Sequence, residues 1–472
     1  MNGWMALTPE MVLIATCAVF FVRAMMPPSE SGRDYHLALI LSTVGVGVSL
    51  ACIHASGDFF SEVYRVDLFS QVFKCLLSMG FFLVVCLCGH LDGVAERRHP
   101  EFFFLLSTST LAVMMLVSSV HLLAVYLTLE ISSYSLYILA SLRRQQPLGT
   151  RTGITYFLIG AAASATMLLG MALLYSQTGQ TSLVGLLRTL PGLMGQPLAA
   201  IGLLLSLCGF FFKLALFPFH FWAPDVYAGA PHPVAAYIAT VSKVAAIAVL
   251  IRMTALTGAS NPFIIHSLAA LAIVSMTIGN LMAVVQKDFK RLLAFSSIAH
   301  AGYVMIGILC MSPSGYAGAV FYAVALLVMK FACFLVVVMV AVGDQNPAVA
   351  QLAGLHRRAP VPALMLMVAL FGLAGIPPTI GFTGKLLLFT AAMEKGYLSL
   401  IIIAMINVVI SLYYYLLVLK AAYLTEPDDT LPSPVVPPHI RVLAGMLIAV
   451  MVIGGIFPRY LIALAQAAVR GF

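Results

Sequence analysis

Charged side chains lie in the middle of long apolar segments of this sequence. Four lysines, Lys213, Lys243, Lys330 and Lys385, and one carboxylate, Glu130, are each surrounded on both sides by apolar residues. Groups of this kind can bind and release a proton, because burial opposes their charged form while an opposite charge nearby favours it. These residue types therefore indicate either proton transfer or structural ion pairs.

The composition shows which solvent surrounds these charges. The chain has 472 residues, of which 62% are hydrophobic and only 9% are charged, and its mean hydropathy is +1.04. Soluble domains are about 25% charged, so the sequence predicts a polytopic membrane protein. The net charge of +8 comes from basic residues scattered in short loops. We interpret them as orientation signals and expect no nucleic-acid surface.

Apolar segments long enough to cross a bilayer recur along the whole chain, and a crossing needs about 20 residues. We predict an all-α polytopic fold with about 14 transmembrane helices. The predicted spans are 9–26, 36–55, 67–90, 101–120, 121–142, 154–176, 197–227, 233–255, 262–285, 291–312, 316–342, 361–395, 397–424 and 441–468. Basic residues concentrate in alternate loops, which places both termini on the outer, periplasmic face under the positive-inside rule.

Two predicted spans contain internal prolines. Span seven includes "LFPFHFWAP" and span twelve includes "GLAGIPPTIGFTGK". Proline removes a backbone hydrogen bond, so we expect both helices to be broken, with freed carbonyls buried in protein or facing a water-filled cavity. Two breaks five spans apart predict two inverted five-helix repeats. We expect an N-terminal region at 1–100, the repeats at 101–255 and 256–424, and a last helix within 425–472.

Intramembrane charges are costly, at about 2.5–3.5 kcal/mol each on insertion scales, and they usually pair, line water or relay protons. Polar residues also recur at helical spacing, which predicts polar stripes beside the charges. The predicted stripes are Ser296, His300, Tyr303 and Gly307 in span ten, Glu130, Tyr134, Tyr137 and Ser141 in span five, and Tyr237, Thr240 and Lys243 in span eight.

Several of the other charged residues have a simpler structural interpretation. Lys74 is close in sequence to Asp67, so it either reaches the interface or joins a structural ion pair. His220 and His232 flank prolines and are interpreted as caps of freed backbone groups. The remaining basic residues near span ends, Arg252 and Lys420, are expected to extend to the interface.

Cofactor chemistry has no signature in this sequence. The eight cysteines lie inside apolar runs without a C-x-x-C motif, so we expect no metal or iron–sulfur ligands in this chain. No glycine-rich phosphate loop follows a strand, so we expect no nucleotide site. The first apolar run has no preceding basic residue and is interpreted as a first span rather than a removed signal peptide.

Three long segments carry a resemblance to a known family. "KLALFPFHFWAPDVYAGAPHPVAAYIATVSKVA" begins at Lys213, "KDFKRLLAFSSIAHAGY" begins at Lys287, and "GLAGIPPTIGFTGK" ends at Lys385. Together with "SLYYYLLV" they resemble the antiporter-like membrane subunits of respiratory complex I, the proton-pumping NADH:quinone oxidoreductase. Within that group the chain is most similar to the N subunits.

This resemblance implies a fold and a set of site residues. It implies fourteen helices with two inverted repeats and broken helices seven and twelve, in agreement with the pattern above. It also implies a proton path through Glu130, Lys213, Lys243, His300 and Lys385. Lys330 stands where we expect a neutral residue in the family, and it is an additional candidate for the path.

The resemblance also implies what surrounds the chain. The partners would be the other membrane-arm and peripheral subunits of complex I and the lipid bilayer of a bacterial inner membrane. NADH, flavin, iron–sulfur clusters and quinone would belong to the complex and not to this chain, so quinone reduction elsewhere would drive proton movement. The alternative functions are a subunit of a multisubunit cation/proton antiporter or membrane-bound hydrogenase, and an ordinary secondary transporter.

We finally expect Glu130 and Lys213 to act as a switchable pair. An α-helix rises about 1.5 Å per residue. Counted from the predicted span starts, the two charges therefore lie at different depths in the membrane. We therefore predict that the helix of span seven begins later than residue 197, with the two charges within roughly 8 Å of each other.

Overall fold

A computed structural model describes residues 3–27, 32–61, 63–89, 91, 93–143, 147–258, 261–426, 434 and 436–471. In these residues thirteen helices are long and apolar enough to cross a membrane. The thirteen do not include the predicted span twelve, which the structure divides into two shorter helices. With that broken span the prediction of about 14 transmembrane helices is confirmed.

The first half of the chain is almost entirely helical, apart from a short antiparallel hairpin. Its elements are α1 Thr8–Met25, α2 Arg33–Ala51, β1 Gly57–Phe59, β2 Tyr64–Val66, α3 Leu68–Cys86, α4 His99–Ser118, α5 Leu122–Ser141, α6 Pro147–Thr178, α7 Leu183–Leu193, α8 Pro197–Ser206, α9 Cys208–Leu214, α10 Trp222–Gly229, α11 His232–Ala239 and α12 Val241–Ala255. In the hairpin, Gly57 pairs with Val66 and Phe59 pairs with Tyr64.

In the described residues of the second half the regular elements are all helices. They are α13 Pro262–Val284, α14 Phe289–Leu309, α15 Pro313–Val340, α16 Leu355–Arg358, α17 Pro360–Ala374, α18 Ile380–Glu394, α19 Leu398–Leu424, α20 Pro438–Ile456 and α21 Arg459–Ala468. Short 3₁₀ segments lie at Gly3–Leu7, Leu87–Gly89, Glu96–Arg98, Val349–Leu352 and Val469–Gly471.

Side-chain caps fix where several helices begin. Asp67 accepts a hydrogen bond from the Ser70 amide, and the Ser70 hydroxyl bonds back to the Asp67 amide, so α3 starts with a capping box. Asp288 caps α14 by accepting from the Arg291 amide. These caps satisfy amides that the first turn of a helix leaves without partners.

The chain divides into two compact units. The first contains Met1–Leu214, Gly229–Ser267 and Ala468–Phe472, and the second contains Ala215–Ala228 and Leu268–Ala467. Each unit has a span that is buried over 18 consecutive residues: His232–Ala255 in the first and Phe289–Leu309 in the second. These two central spans carry Lys243 and His300.

Other helices bury only one side. In α1 and α2 about a third of the spanning window is buried (33% and 28%), and α20 is similar at 28%. Apolar residues such as Phe21, Ile40 and Val450 remain exposed on these helices. A helix with one apolar face exposed suits contact with lipid or with a neighbouring membrane protein, since neither requires polar side chains there.

The two predicted helix breaks are present and share one local plan. Helix α9 ends at Leu214 before Ala215, whose φ is +60°, and α17 ends at Ala374 before Gly375, whose φ is +87°. A left-handed residue stops a right-handed helix and leaves the preceding carbonyls without amide partners. In both breaks a cis proline follows three residues later, at Pro218 and Pro378.

Candidate functional site: buried lysines at two helix breaks

Lys213 lies in the last turn of α9 and contacts a chain of serine hydroxyls. Its side chain is buried, with 2% of the residue exposed. The ammonium Nζ donates to Ser132 Oγ on α5 at 3.0 Å. Ser132 Oγ lies 3.1 Å from Ser109 Oγ on α4. The ammonium is therefore held by a neutral hydroxyl, which is itself linked to a second one.

Glu130 is two residues from Ser132 on α5 and is also buried. Its Oε1 accepts a short hydrogen bond from Ser164 Oγ on α6. No direct ion pair joins Glu130 to Lys213 in the described part of the chain; the contact between the two helices is made by Ser132. The carboxylate still attracts the ammonium electrostatically across this gap.

The prediction about the start of span seven was wrong. Helix α8 begins at Pro197, where the sequence placed it, and it is separated from α9 at Leu207. Lys213 nevertheless reaches Ser132, which is ten residues after Leu122 at the start of α5. The two helices must therefore begin at different depths. The prediction had assumed that they begin at the same depth.

Lys243 satisfies a carbonyl that the first break frees. Its Nζ donates to the carbonyl oxygen of Leu214, the last residue of α9, at 2.8 Å. Lys243 is in the first turn of α12, just after the irregular Thr240 that separates α11 from α12. A buried carbonyl without a partner costs about 1–3 kcal/mol, so this contact both stabilises the break and compensates the lysine charge.

Lys385 does the same at the second break. Its Nζ donates to the carbonyl oxygens of Leu373 and Ala374 at 2.8 Å and 3.0 Å. It also lies 4.8 Å from the centre of the Tyr303 ring, within range of a cation–π interaction. In each unit, then, the end of a broken helix binds a lysine ammonium through main-chain oxygens. The negative end of a helix dipole favours a cation at this position.

Lys330 and His300 belong to one buried polar cluster in the second unit. Lys330 Nζ donates to Ser296 Oγ through a short bond and to the carbonyl of Leu293 at 3.1 Å. Ser296 also interacts electrostatically with the Tyr415 hydroxyl. That hydroxyl lies 3.0 Å from His300 Nε2, which connects the lysine to the imidazole.

The other side of His300 is also bonded. Its Nδ1 lies 2.8 Å from the hydroxyl of Tyr322 on α15. Both ring nitrogens thus contact tyrosine hydroxyls, each of which can donate or accept a proton. An imidazole bonded on both sides can take a proton at one nitrogen and release another from the opposite nitrogen.

The predicted stripe of span five is only partly correct. Tyr137 is buried, but Tyr134 is 50% exposed, and the Ser141 hydroxyl bonds Ile138 of its own helix. Helical spacing placed these residues on the face of Glu130 but could not show which part of that face neighbouring helices cover. The buried polar contacts of α5 run instead through Ser132.

The side chains of the predicted stripe in span eight bond to other groups and not to one another. The Tyr237 hydroxyl lies 3.1 Å from Thr110 Oγ1 on α4, and Thr240 bonds the Ala236 carbonyl of the preceding turn.

His220, in the first break, is buried against the rings of Phe217 and Phe221. Lys420 is exposed at the end of α19, as expected.

Lys74 and Arg252 are both buried ion-pair residues. Lys74 is fully buried, and its Nζ lies 2.5 Å from Glu10 Oε1. Arg252 Nη2 donates to both carboxylate oxygens of Asp67, at 2.8 Å and 2.9 Å, and Arg252 Nε donates to the Val117 carbonyl. Arg252 is 7% exposed and its side chain ends at Asp67, the cap at the start of α3.

Sequence reasoning missed the hydroxyls that contact the charges. Ser132, Ser164, Tyr322 and Tyr415 are ordinary residues in a membrane helix, where a serine often bonds its own backbone. Only the "YYY" run around Tyr415 hinted at a polar surface within an apolar span. Among the described residues no group of three His, Cys, Asp or Glu side chains could hold a metal ion.

Comparisons with known proteins agree on one family. A model of the "NADH:quinone oxidoreductase/Mrp antiporter, TM" family matches residues 119–411. A protein of Syntrophobacter fumaroxidans named NADH-quinone oxidoreductase subunit N 2 is 55% identical over 99% of each chain. The chain belongs to the subunit N family. A relative of the same name from Opitutus terrae is 40% identical over 98% of this chain and 97% of its own length.

Solved structures place the family in an assembly. A chain of respiratory complex I from Thermus thermophilus is 33% identical, with a TM-score of 0.84, over 97% of this chain and 99% of that one. The protein is an antiporter-like membrane-arm subunit of complex I, with the other subunits of complex I as its partners. A chain of the Mrp complex from Dietzia sp. has a TM-score of 0.88 over 99% of this chain and 97% of its own, but at 19% identity it shows the fold alone.

Proposed function

We propose that this chain translocates protons across the membrane for NADH:quinone oxidoreductase. The observation that supports the proposal most strongly is a set of buried lysines that each donate to a neutral oxygen: Ser132 for Lys213, the Leu214 carbonyl for Lys243, and the Leu373 and Ala374 carbonyls for Lys385. Neutral oxygens stabilise an ammonium less than a carboxylate would, so the proton on each lysine can be released when a nearby charge changes.

Glu130 and Lys213 would form the switch of the first unit. With Glu130 ionised, its field favours the ammonium on Lys213; when Glu130 takes up a proton, that attraction disappears. Lys213 then loses its proton through Ser132 and becomes a neutral amine. Lys243 would be the next proton-holding group of this unit.

The second unit would carry its proton through His300, Lys385 and Lys330. Lys330 bonds Ser296 and Tyr415 bonds His300, and in a relay along these four residues each hydroxyl would accept one proton while giving up its own. No net charge remains on the serine or tyrosine afterwards. His300 can pass the proton on from its other nitrogen, which contacts Tyr322. Lys385 would hold a proton at the second break.

The energy source and orientation form part of the same proposal. Quinone reduction would occur elsewhere in the complex, with NADH, flavin, iron–sulfur clusters and quinone held by other subunits. The bacterial inner membrane would surround the chain, with both termini on the periplasmic face, because the basic loops alternate in that sense.

The test is Lys213→Ala in closed membrane vesicles that contain the assembled complex. Quinone-coupled proton translocation, measured with a pH-sensitive dye, should be abolished or strongly reduced relative to NADH oxidation. Lys213→Arg should also impair it, since a guanidinium stays protonated at physiological pH. Lys395→Ala removes an exposed lysine just after α18 and serves as the control. Normal acidification by the assembled Lys213→Ala complex would refute the proposal.

A further inference from the structure

A second charged cluster lies in the N-terminal helices, away from the lysines described above. Glu10 of α1 and Lys74 of α3 are 5% and 0% exposed, and Lys74 Nζ lies 2.5 Å from Glu10 Oε1. The hydroxyl of Tyr64, in β2, donates a short hydrogen bond to the same oxygen. Glu10 and Lys74 therefore form an ion pair closed off from lipid, although α1 exposes most of its surface.

The bonding around this pair is one-sided. Oε1 of Glu10 accepts the phenol hydroxyl of Tyr64 and lies beside the Lys74 ammonium as an ion pair, whereas Oε2 and the Lys74 Nζ are buried and have no hydrogen-bond partner among the described residues. A buried oxygen of this kind is satisfied by a water molecule or by a proton. The carboxylate thus has one oxygen that fixes its position and another that is able to take up a proton.

A polar stripe leads from the pair to the end of α3. Asp67, Gln71, Lys74 and Ser78 follow one another at intervals of three and four residues, so they share one face of the helix. The Gln71 amide nitrogen donates to the carbonyls of Ala6 and Ala55, and its Oε1 is a second buried acceptor without a partner in the described chain. The Asp67 side chain at the end of the stripe is 34% exposed, so the stripe ends at the surface of the chain, at the start of α3.

The same stripe touches the central span of the first unit. Asp67 binds Arg252, and Arg252 is on α12, the helix of Lys243. A change of charge at Glu10 or Lys74 therefore changes the electrostatic field at an ion pair on that helix. Purely structural pairing explains this less well, because desolvation offsets most of the attraction in a buried ion pair.

We propose that Glu10 and Lys74 form a further proton-holding site, which exchanges its proton with the aqueous phase on the membrane face of Asp67. The proton moves from the Lys74 ammonium to Glu10, giving a neutral amine and a neutral acid, and leaves from Glu10 along the Gln71–Asp67 stripe. A proton from the path of the first unit then restores the ammonium. Among the described residues, Tyr64, Asp67, Cys75 and Arg252 are the other titratable groups that interact with this pair. The inference rests on the proposed proton translocation.

The experiment compares protons translocated per NADH oxidised in vesicles containing equal amounts of assembled complex. Glu10→Gln keeps the shape of the side chain but holds no exchangeable acid proton. Its loss of proton translocation should be at least half of the loss caused by Lys213→Ala. Glu10→Asp restores a carboxylic acid and should recover most of the loss. A structural role alone would not separate Gln from Asp in this way at equal assembly.

Matched controls separate the explanations. Asp34→Asn removes the Arg23–Asp34 pair, which joins α1 to α2 and is 14% and 11% exposed, and should leave translocation unchanged. If Glu10→Gln prevents assembly, Lys74→Arg keeps the ion pair but cannot release its proton, and should reduce translocation. If Lys213→Ala is impaired but the assembled Glu10→Gln or Lys74→Arg complex translocates protons normally, this inference is wrong. If Lys213→Ala is also normal, the proposed function fails as well.

Discussion

Lys213 and Glu130 approach each other through a serine: the ammonium of Lys213 donates to Ser132, two residues further along the same helix as the carboxylate. The carboxylate is held separately by Ser164. An intervening hydroxyl leaves each charge with its own hydrogen bond, so either group can change protonation without breaking a shared ion pair. The hydroxyl also provides a route by which the proton can leave Lys213.

Replacing Ser132 by alanine should therefore slow proton translocation while the complex still assembles. The change removes the one hydrogen-bond acceptor that the Lys213 ammonium has among the described residues, and a buried donor without a partner costs about 1–3 kcal/mol. Ser132→Thr keeps a hydroxyl and should retain more activity. Ser135→Ala is the control, because the Ser135 hydroxyl donates to the carbonyl of Ile131 on its own helix at 2.9 Å and bonds no other described side chain. Equal rates for the alanine variants at 132 and 135, from dye measurements in vesicles, would contradict the relay.

Glu130→Gln should reduce translocation, and combining it with Lys213→Ala should be little worse than either change alone. Residues that act as one unit give non-additive effects, because removing either partner already stops the switch. The three variants and the wild type form a double-mutant cycle read as protons translocated per NADH. Clearly additive losses in the cycle would show that the two residues act independently.

In the second unit, Tyr415→Phe should interrupt the series between Ser296 and His300 and lower the translocation rate. The ring remains and only the hydroxyl is lost, so packing changes little. Tyr413→Phe removes a hydroxyl from a residue that is 56% exposed on the same helix, and should have no effect. The comparison is made in vesicles at matched NADH oxidation. Similar rates for the two variants would rule out a role for Tyr415.

Asp67→Asn should destabilise the protein by about 1 kcal/mol at neutral pH, after allowance for partial exposure. Burial raises the pKa of the Asp67 carboxyl, but the Arg252 guanidinium together with the amide and hydroxyl of Ser70 outweighs it, so the pKa is lowered. A lowered pKa means that the stabilisation is present above the unfolded value of about 3.9 and is lost as the pH falls through the folded value.

The measurement for Asp67 is thermal unfolding of the complex in detergent at several pH values. The difference from wild type should be constant from neutral pH to about pH 5 and shrink only below about pH 4. Asp58→Asn breaks an exposed pair with Arg65 and should shift the unfolding temperature much less. A difference that already disappears at pH 6 would contradict the assignment to this carboxylate.

The isolated chain should oxidise no NADH and bind no flavin, haem or iron–sulfur cluster. The eight cysteines are all free thiols in the structure, and they lie inside or beside membrane helices. Absorption spectra and metal analysis of the purified chain would check this. A cofactor recovered at one per chain would show that the sequence conceals a binding site.

Much of the fold could be predicted from the sequence because the bilayer restricts what a chain can do. Each span needs a long apolar segment, and a proline within such a segment must break the helix. The breaks after Leu214 and Ala374 followed from this rule alone. The relative depths of α5 and α8 did not, because residue counts along separate helices contain no common reference level.

The site was predictable for its charges and not for their partners. A lysine inside an apolar segment is conspicuous, so Lys213, Lys243, Lys330 and Lys385 could be selected directly. Their partners are serine and tyrosine hydroxyls and main-chain carbonyls, which occur in nearly every helix. Glu10 was missed for a different reason: it is close to the start of the first span, where a carboxylate is expected to face water.

The way lysines bind the two broken helix ends affects how mutants of this chain should be read. Lys243 and Lys385 supply the hydrogen bonds that the carbonyls of Leu214, Leu373 and Ala374 would otherwise lack. An alanine at either position removes a charge and also uncaps a helix, so lost transport in such a variant has two causes that the rate alone does not separate. Lys213 bonds a side chain instead, and its removal leaves both helix ends capped. For a clean measurement of what the charge itself contributes, position 213 is the informative one.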